Sequence, residues 1–451
     1  LDLAACFIPR HPAANHNKKV YQSLMNAISD KTATSASSLR NLLKALGPGL
    51  LVACAAIGGS HLVWSTRAGA EFGWALVWII LLTNLLKFPF FLYGQRYTAA
   101  TGESLLAGYL RLGRRYVVIF LTINLMTGVI NIAGVAMLSA ALFSAYGLFE
   151  APLAWVTVGL LAVSAALVLF GHYRLLDGMA KAVIVTLGLC TIFAVILAAR
   201  QGPVAIEGFE SPELLTWASF ALVIAVIGWM PAPIDLSAWS SLWMFSREKQ
   251  TGHFATPRET AIDFYIGYAA AVVMAVLFVA LGALVMYGSG QRFDDSGIAF
   301  SNQLINLYAA NIGDWSRPLI LTAAFITMFS TTLTCIDGYP RSLAACCRLL
   351  SDCSVGTFQW IHRILLVLSV VFAMVTVLFF VRNLIQLLTF AAVISFLTSP
   401  VLAWINLRVM NGANVPEAQR PGPLLSWLSW IGLGYFAVMI AGYLLYHWLG
   451  S

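Results

Sequence analysis

Two short stretches of this chain place polar and helix-breaking residues in the middle of long apolar runs. The first, AIGGSHLVWSTRAG (residues 56–69), sets Gly58, Gly59, Ser60 and His61 side by side. The second, VIGWMPAPIDLSAW (residues 226–239), contains Gly228, Pro231 and Pro233. Each proline removes a backbone donor and clashes with the preceding turn. Backbone groups freed in this way cannot face lipid, so they must line a protein cavity or water. Exposed carbonyls and amides are ligands, and the side chains nearest to them are the Ser60 hydroxyl, the His61 imidazole, the Met230 thioether and the Asp235 carboxylate. Trp64 and Trp229 flank the two breaks and offer flat apolar or cation–π faces. A thioether and an imidazole suit soft and borderline metal ions. Half-helix N-termini suit an anion or a carboxylate instead, and a roomy neutral pocket would accept a hydrated cation. All three chemistries are open at this point.

The elements that position these residues follow from composition. The chain has 451 residues, 60% hydrophobic and 10% charged, with a mean hydropathy of +0.83. Soluble proteins carry roughly 25% charged residues, so this is a polytopic membrane protein. Apolar runs of about 20 residues mark bilayer crossings. Eleven are expected, near 46–70, 73–95, 116–146, 152–171, 177–199, 214–244, 260–288, 317–345, 360–381, 384–409 and 424–448. Lys and Arg collect on one side of this arrangement, including Arg40, Lys44, Arg96, Arg111, Arg114, Arg115, Arg247, Lys249, Arg258, Arg348 and Arg408. Lys87 and Lys181 fall in the same halves of their helices. The opposite loops carry Glu207, Glu210, Glu213, Asp294, Asp295 and Asp314. The bias places the N-terminus in the cytoplasm of a bacterial inner membrane and the C-terminus outside. Residues 1–44 read as a polar, disordered cytoplasmic tail, within which Met25 is a candidate start.

Other function classes find no support. The net charge of +7 is what membrane topology produces and does not indicate nucleic-acid binding. The seven cysteines have no zinc-type spacing. There is no phosphate-binding glycine loop, nucleophile elbow or HExxH, so no enzyme is expected.

The two breaks lie in the first and sixth spans, five apart. They therefore occupy matching places in two five-span halves of opposite topology, residues 45–200 and 213–410, followed by an additional helix at 424–449. Discontinuous helices paired across inverted repeats hold the midplane site of many secondary transporters.

With these pieces in place the chain resembles the NRAMP family of metal-ion transporters. The resemblance runs through LGPGLLVACAAIG, AGAEFGWALVW, ATGESL, GWMPAPIDLSAW and AIDFYIGY, and it is their combination that is specific. It implies an all-α membrane protein of the LeuT type with broken helices 1 and 6. It further implies a monomer, as expected for the family, alternating access, a transported metal ion and no other cofactor. Family members carry Asp-Pro-Gly-Asn in span 1 and Met-Pro-His in span 6. Anchored on AGAEFG, those positions are Gly58, Gly59, Ser60 and His61, then Met230, Pro231 and Ala232. The resemblance thus assigns a metal to Met230, the backbone near Gly58, the Ile227 carbonyl and His61. The usual carboxylate is absent. The acidic residues of span 3 are also absent, and Asn131 is the nearest polar replacement. The expected function is transport of a metal cation through an altered site. The rival readings are an organic or hydrated-ion substrate, or a sensor that no longer transports.

Remaining charges read as braces. Asp177 with Lys181 and Asp337 with Arg341 stand four apart on spans 5 and 8. Arg67 and Glu71 pair at the outer end of span 1, and Asp263 joins a network at the opening of span 7. Ser330, Thr331 and Thr334 on span 8 are candidate sodium ligands or, more simply, small polar packing residues.

Overall fold

Among the residues described by the computed structural model, eight helices are long and apolar enough to cross a bilayer. These are Val77–Thr101, Arg114–Ser144, Leu153–Phe170, Pro257–Val285, Asp314–Ser351, Thr357–Phe380, Leu384–Met410 and Pro423–Tyr446, at the places expected for spans 2, 3, 4, 7, 8, 9, 10 and 11. The structure describes residues 39–450, apart from 149, 171–172, 203, 207–208, 214–215, 352–354 and 382. The three other expected spans are helical too. Span 5 is Tyr173–Gln201, while spans 1 and 6 are interrupted. No strand occurs among the described residues.

Span 1 runs as Pro48–Ala56, then a wide π-helical turn Ser60–Ser65, then Thr66–Phe72. Span 6 runs as Trp217–Trp229 and resumes at Leu236–Thr251. Residues 1–38 of the expected tail, with Met25, lie outside the described part. Residues 39–44 differ from expectation, since Leu39–Ala45 is helical, with Ala45 buried. Its last carbonyls are held by Arg247, whose Nε donates to Lys44 O at 2.7 Å and whose Nη2 donates to Leu43 O at 3.0 Å. A second unexpected helix, Gly297–Ile312, lies between spans 7 and 8. At 16 residues it is too short to cross, and it buries Phe300, Leu304, Ile305 and Tyr308.

Local chemistry fixes the boundaries. Thr256 and Glu259 form a reciprocal capping box at the start of span 7, with Pro257 in the first turn. Span 2 ends on Gly102, whose φ of +69° only glycine adopts freely. The Asp263 carboxylate of span 7 accepts from Gly47 N at 2.9 Å and from Gly49 N at 2.5 Å. It thereby satisfies orphan donors at the start of span 1 and sits favourably at the helix dipole.

Burial ranks the helices. Within its apolar stretch span 8 is 72% buried, against 17% for spans 4 and 11, so span 8 is central and those two are peripheral. Small residues bring the central helices together. A Cβ on Gly267 of span 7 would lie 2.1 Å from the Gly49 carbonyl oxygen, and one on Gly69 would lie 2.0 Å from that of Val279. Close backbone approach of this kind is how membrane helices associate.

Gly267→Val should therefore lower stability by about 1–3 kcal/mol through overpacking. Gly434→Val on span 11, where nothing lies within 4 Å, should change little. Thermal unfolding of both variants in detergent checks this.

Candidate functional site

The ends of both breaks meet spans 3 and 8 around one small cavity. Its lining includes Ala56, Gly59 and Ser60 of span 1, Asn131 of span 3, Trp229, Pro231, Ala232 and Trp239 of span 6, and Thr331, Cys335 and Tyr339 of span 8. It gives about 30 Å³ to the centres of water-sized particles, room for about two waters.

The polar groups are positioned by short-range bonds. Asn131 Nδ2 donates to Thr127 O at 3.0 Å and to the Tyr339 hydroxyl at 2.8 Å. This fixes the amide so that both donors are used and Oδ1 is left as an acceptor. Ser60 Oγ lies 2.5 Å from Ala56 O, 3.3 Å from Pro231 O and 2.7 Å from His61 Nδ1, tying the two breaks together. Trp229 bonds Ser395 of span 10 through Nε1 at 3.3 Å and lays its ring edge over Gly59. Trp239 packs edge-on against Tyr339, with ring centroids 4.5 Å apart. Asp235 immediately precedes the second half of span 6 without a side-chain cap bond and is 3% exposed, with Oδ1 buried and without a protein partner. The Tyr339 hydroxyl interacts with its carboxylate.

The sequence-derived candidates separate into two groups. Ser60, Asn131 and Trp229 line the cavity. Gly58, His61, Trp64, Ile227, Met230 and Asp235 are buried beside it without lining it. His61 is turned toward span 7, where Nε2 meets Ala271 O at 2.8 Å. A carbonyl only accepts, so Nε2 carries a proton and donates, while Nδ1 faces Ser60. Neither nitrogen points at the cavity. Met230 directs its sulfur to the second half of span 1, where the Ser65 hydroxyl lies 3.9 Å away.

The two glycines do not open space at the break. A Cβ on Gly58 would lie 2.8 Å from Thr331 Oγ1, and one on Gly59 would lie 2.8 Å from Trp229 Cζ3. Span 8 and the Trp229 ring fill the room that a side chain would take. The span 8 hydroxyls are likewise engaged. Thr331 Oγ1 donates to Cys54 O at 3.0 Å, Thr334 Oγ1 donates to Thr331 O at 2.8 Å, and Ser330 Oγ lies 3.2 Å from Cys54 Sγ. They act here as packing residues joining spans 1 and 8.

Lys87 lies within span 2, as expected, but its partners were not foreseen. It is fully buried, and its ammonium donates to Gly228 O at 2.8 Å, in the last turn before the span 6 break, and to Ala232 O at 3.1 Å, inside it. Asp337 and Arg341 do pair, with Nε to Oδ2 at 2.9 Å, and Trp243 Nε1 donates to the same oxygen at 2.9 Å, bracing spans 6 and 8. Arg67 bridges Glu71 at 3.0 Å and Asp295 at 3.2 Å. The side chains of Asp177 and Lys181 lie outside the described part. Among the described residues no three His, Cys, Asp or Glu side chains converge as a metal site.

An all-helical membrane bundle with two interrupted helices around a central cavity is the architecture of LeuT-type transporters. Residues 49–447 match the Nramp family, described as natural resistance-associated macrophage protein-like. The chain belongs to that family. It is 39% identical to an uncharacterized protein of Pasteurella multocida over 88% of this chain and 91% of the other. It is 26% identical to the divalent metal cation transporter MntH of Staphylococcus saprophyticus, over 71% of this chain and 73% of that one. Its fold matches that of a manganese transporter from Eremococcus coleocola with a TM-score of 0.66, covering 90% and 87% of the two chains at 16% identity.

Two outcomes follow from this geometry. His61→Ala should cost about 1–3 kcal/mol of stability, because it removes a buried side-chain bond between spans 1 and 7 and the packing around it, while ion affinity stays within about two-fold. Gly58→Asp should destabilise by a similar amount through contact with Thr331, and adding Thr331→Ala should recover most of the loss. Thermal unfolding with ion titration of the purified variants checks both.

Proposed function

We propose that this chain is a secondary active transporter that moves a metal cation by alternating access between spans 1 and 6. The size and lining of the cavity carry this reading. A space for about two waters suits a bare or nearly bare ion and is too small for an organic molecule. Asn131 Oδ1, the Ser60 and Tyr339 hydroxyls and the carbonyls freed at the breaks are oxygen donors, which suit a hard cation such as Mg²⁺ or Mn²⁺. The family's usual carboxylate falls on Gly58, so the buried charge of the cargo needs another anion. Asp235 supplies it from the opposite break, one residue before the second half of span 6. Met230 and the Ile227 carbonyl stand behind the cavity wall and enter the ligand set only as spans 1 and 6 shift. The protein works as a monomer of eleven spans in a bacterial inner membrane, with its N-terminus in the cytoplasm. Its halves at 45–200 and 213–410 move against each other, and the helix at 424–449 is an addition.

The test is uptake of Mn²⁺, Mg²⁺ and Zn²⁺ into proteoliposomes holding the purified protein. Saturable uptake of at least one ion is expected, falling by about ten-fold or more in Asp235→Asn, the scale of a buried charge–charge contact. Absence of uptake by a well-folded protein would reject the metal reading and favour a sensor.

A further inference from the structure

Resting on that reading, we propose that Lys87 is a tethered cation that occupies the carbonyls of the span 6 break and competes with the transported ion until the ion displaces it.

The first half of span 6 ends at Trp229, so the carbonyls of Gly228 and, inside the unwound segment, Ala232 have no helical partner. The C-terminal end of a half-helix also carries partial negative charge. In discontinuous-helix transporters, carbonyls of this kind coordinate the coupling cation. Here they are already bound. The Lys87 ammonium lies 2.8 Å from Gly228 O and 3.1 Å from Ala232 O, distances of direct charge-assisted bonds. Residue 232 lines the cavity, and residues 229 and 231 line it between the two bonded carbonyls. The lysine head therefore stands at the wall of the ion site.

Charge balance gives this position a consequence. Lys87 is 0% exposed and Asp235 is 3% exposed, and the two interact electrostatically. With both ionised the pair is neutral. A divalent ion added to that pair brings an uncompensated double charge into a medium of low dielectric, next to an ammonium that repels it. Withdrawal of the lysine head releases two carbonyl oxygens and the full charge of Asp235 to the incoming ion. The side chain that holds the break together without cargo is thus also a competitor of the cargo. A lysine serving only to cap the half-helix would leave ion affinity unchanged when replaced.

The experiment compares wild type, Lys87→Met and Lys87→Gln as full-length proteins in detergent, titrated calorimetrically with MnCl₂ and MgCl₂. Lys87→Gln keeps a donor for one carbonyl and stands in if Lys87→Met does not fold. Competition predicts that the neutral variants bind the ion at least about ten-fold more tightly than wild type, the scale of one close like-charge contact removed. Their thermal midpoint should be lower without ion and should rise more steeply with it. Equal or weaker binding in the variants overturns the role of Lys87 and leaves the transport reading standing. Binding to none of the proteins overturns both.

Discussion

Hydrocarbon offers no hydrogen bonds, and two helices of this protein break within it. How the freed backbone groups are satisfied governs the centre of the molecule. At span 6 the Lys87 ammonium takes the carbonyls of Gly228 and Ala232. At span 1 the Ser60 hydroxyl reaches Ala56 O on its own helix and Pro231 O across the gap, and Thr331 donates to Cys54 O from span 8. A buried carbonyl left without a donor would cost about 1–3 kcal/mol. Side chains from spans 1, 2 and 8 are thereby recruited to the breaks, and their helices are drawn into one core.

Close packing completes what the hydrogen bonds begin. Gly58 and Gly59 let the Thr331 side chain and the Trp229 ring approach the broken segment to within contact. Trp229 is anchored to span 10 through Ser395, and the Asp337–Arg341 pair with Trp243 ties the second half of span 6 to span 8. The space left between these anchors is small and mostly apolar, with the amide of Asn131 and the hydroxyls of Ser60, Thr331 and Tyr339 on its wall. One carboxylate, Asp235, is buried at the start of the second half of span 6.

Much of this was readable from sequence. Gly-Gly and Pro-x-Pro in mid-run located both breaks, since these residues punctuate helices for local reasons. The places of the spans followed from hydropathy. The direction of side chains at the breaks did not follow, because the helical phase of 100° per residue is lost where the chain unwinds. His61 stands next to Ser60, yet it points at span 7 while Ser60 points at the cavity. The role of Lys87 was not legible for a different reason. A lysine in an apolar helix usually extends its head to the interface, and its actual partners lie 141 and 145 residues further along the chain. The helix at 297–312 was hidden by the acidic residues that precede it, and only its one-sided burial explains its presence.

The contact between spans 1 and 7 bears on how the molecule can move. Asp263 holds the amides of Gly47 and Gly49, and Gly49 and Gly267 touch backbone to backbone. Sliding these two helices apart would strip a carboxylate of two donors and uncover two peptide groups together. Swinging them as a pair keeps both of these contacts. The first half of span 1 and the start of span 7 therefore act as one lever with a fixed hinge partner. A passage opening on that side of the membrane must form along the lever's far face, against spans 6 and 8, and not between its two members.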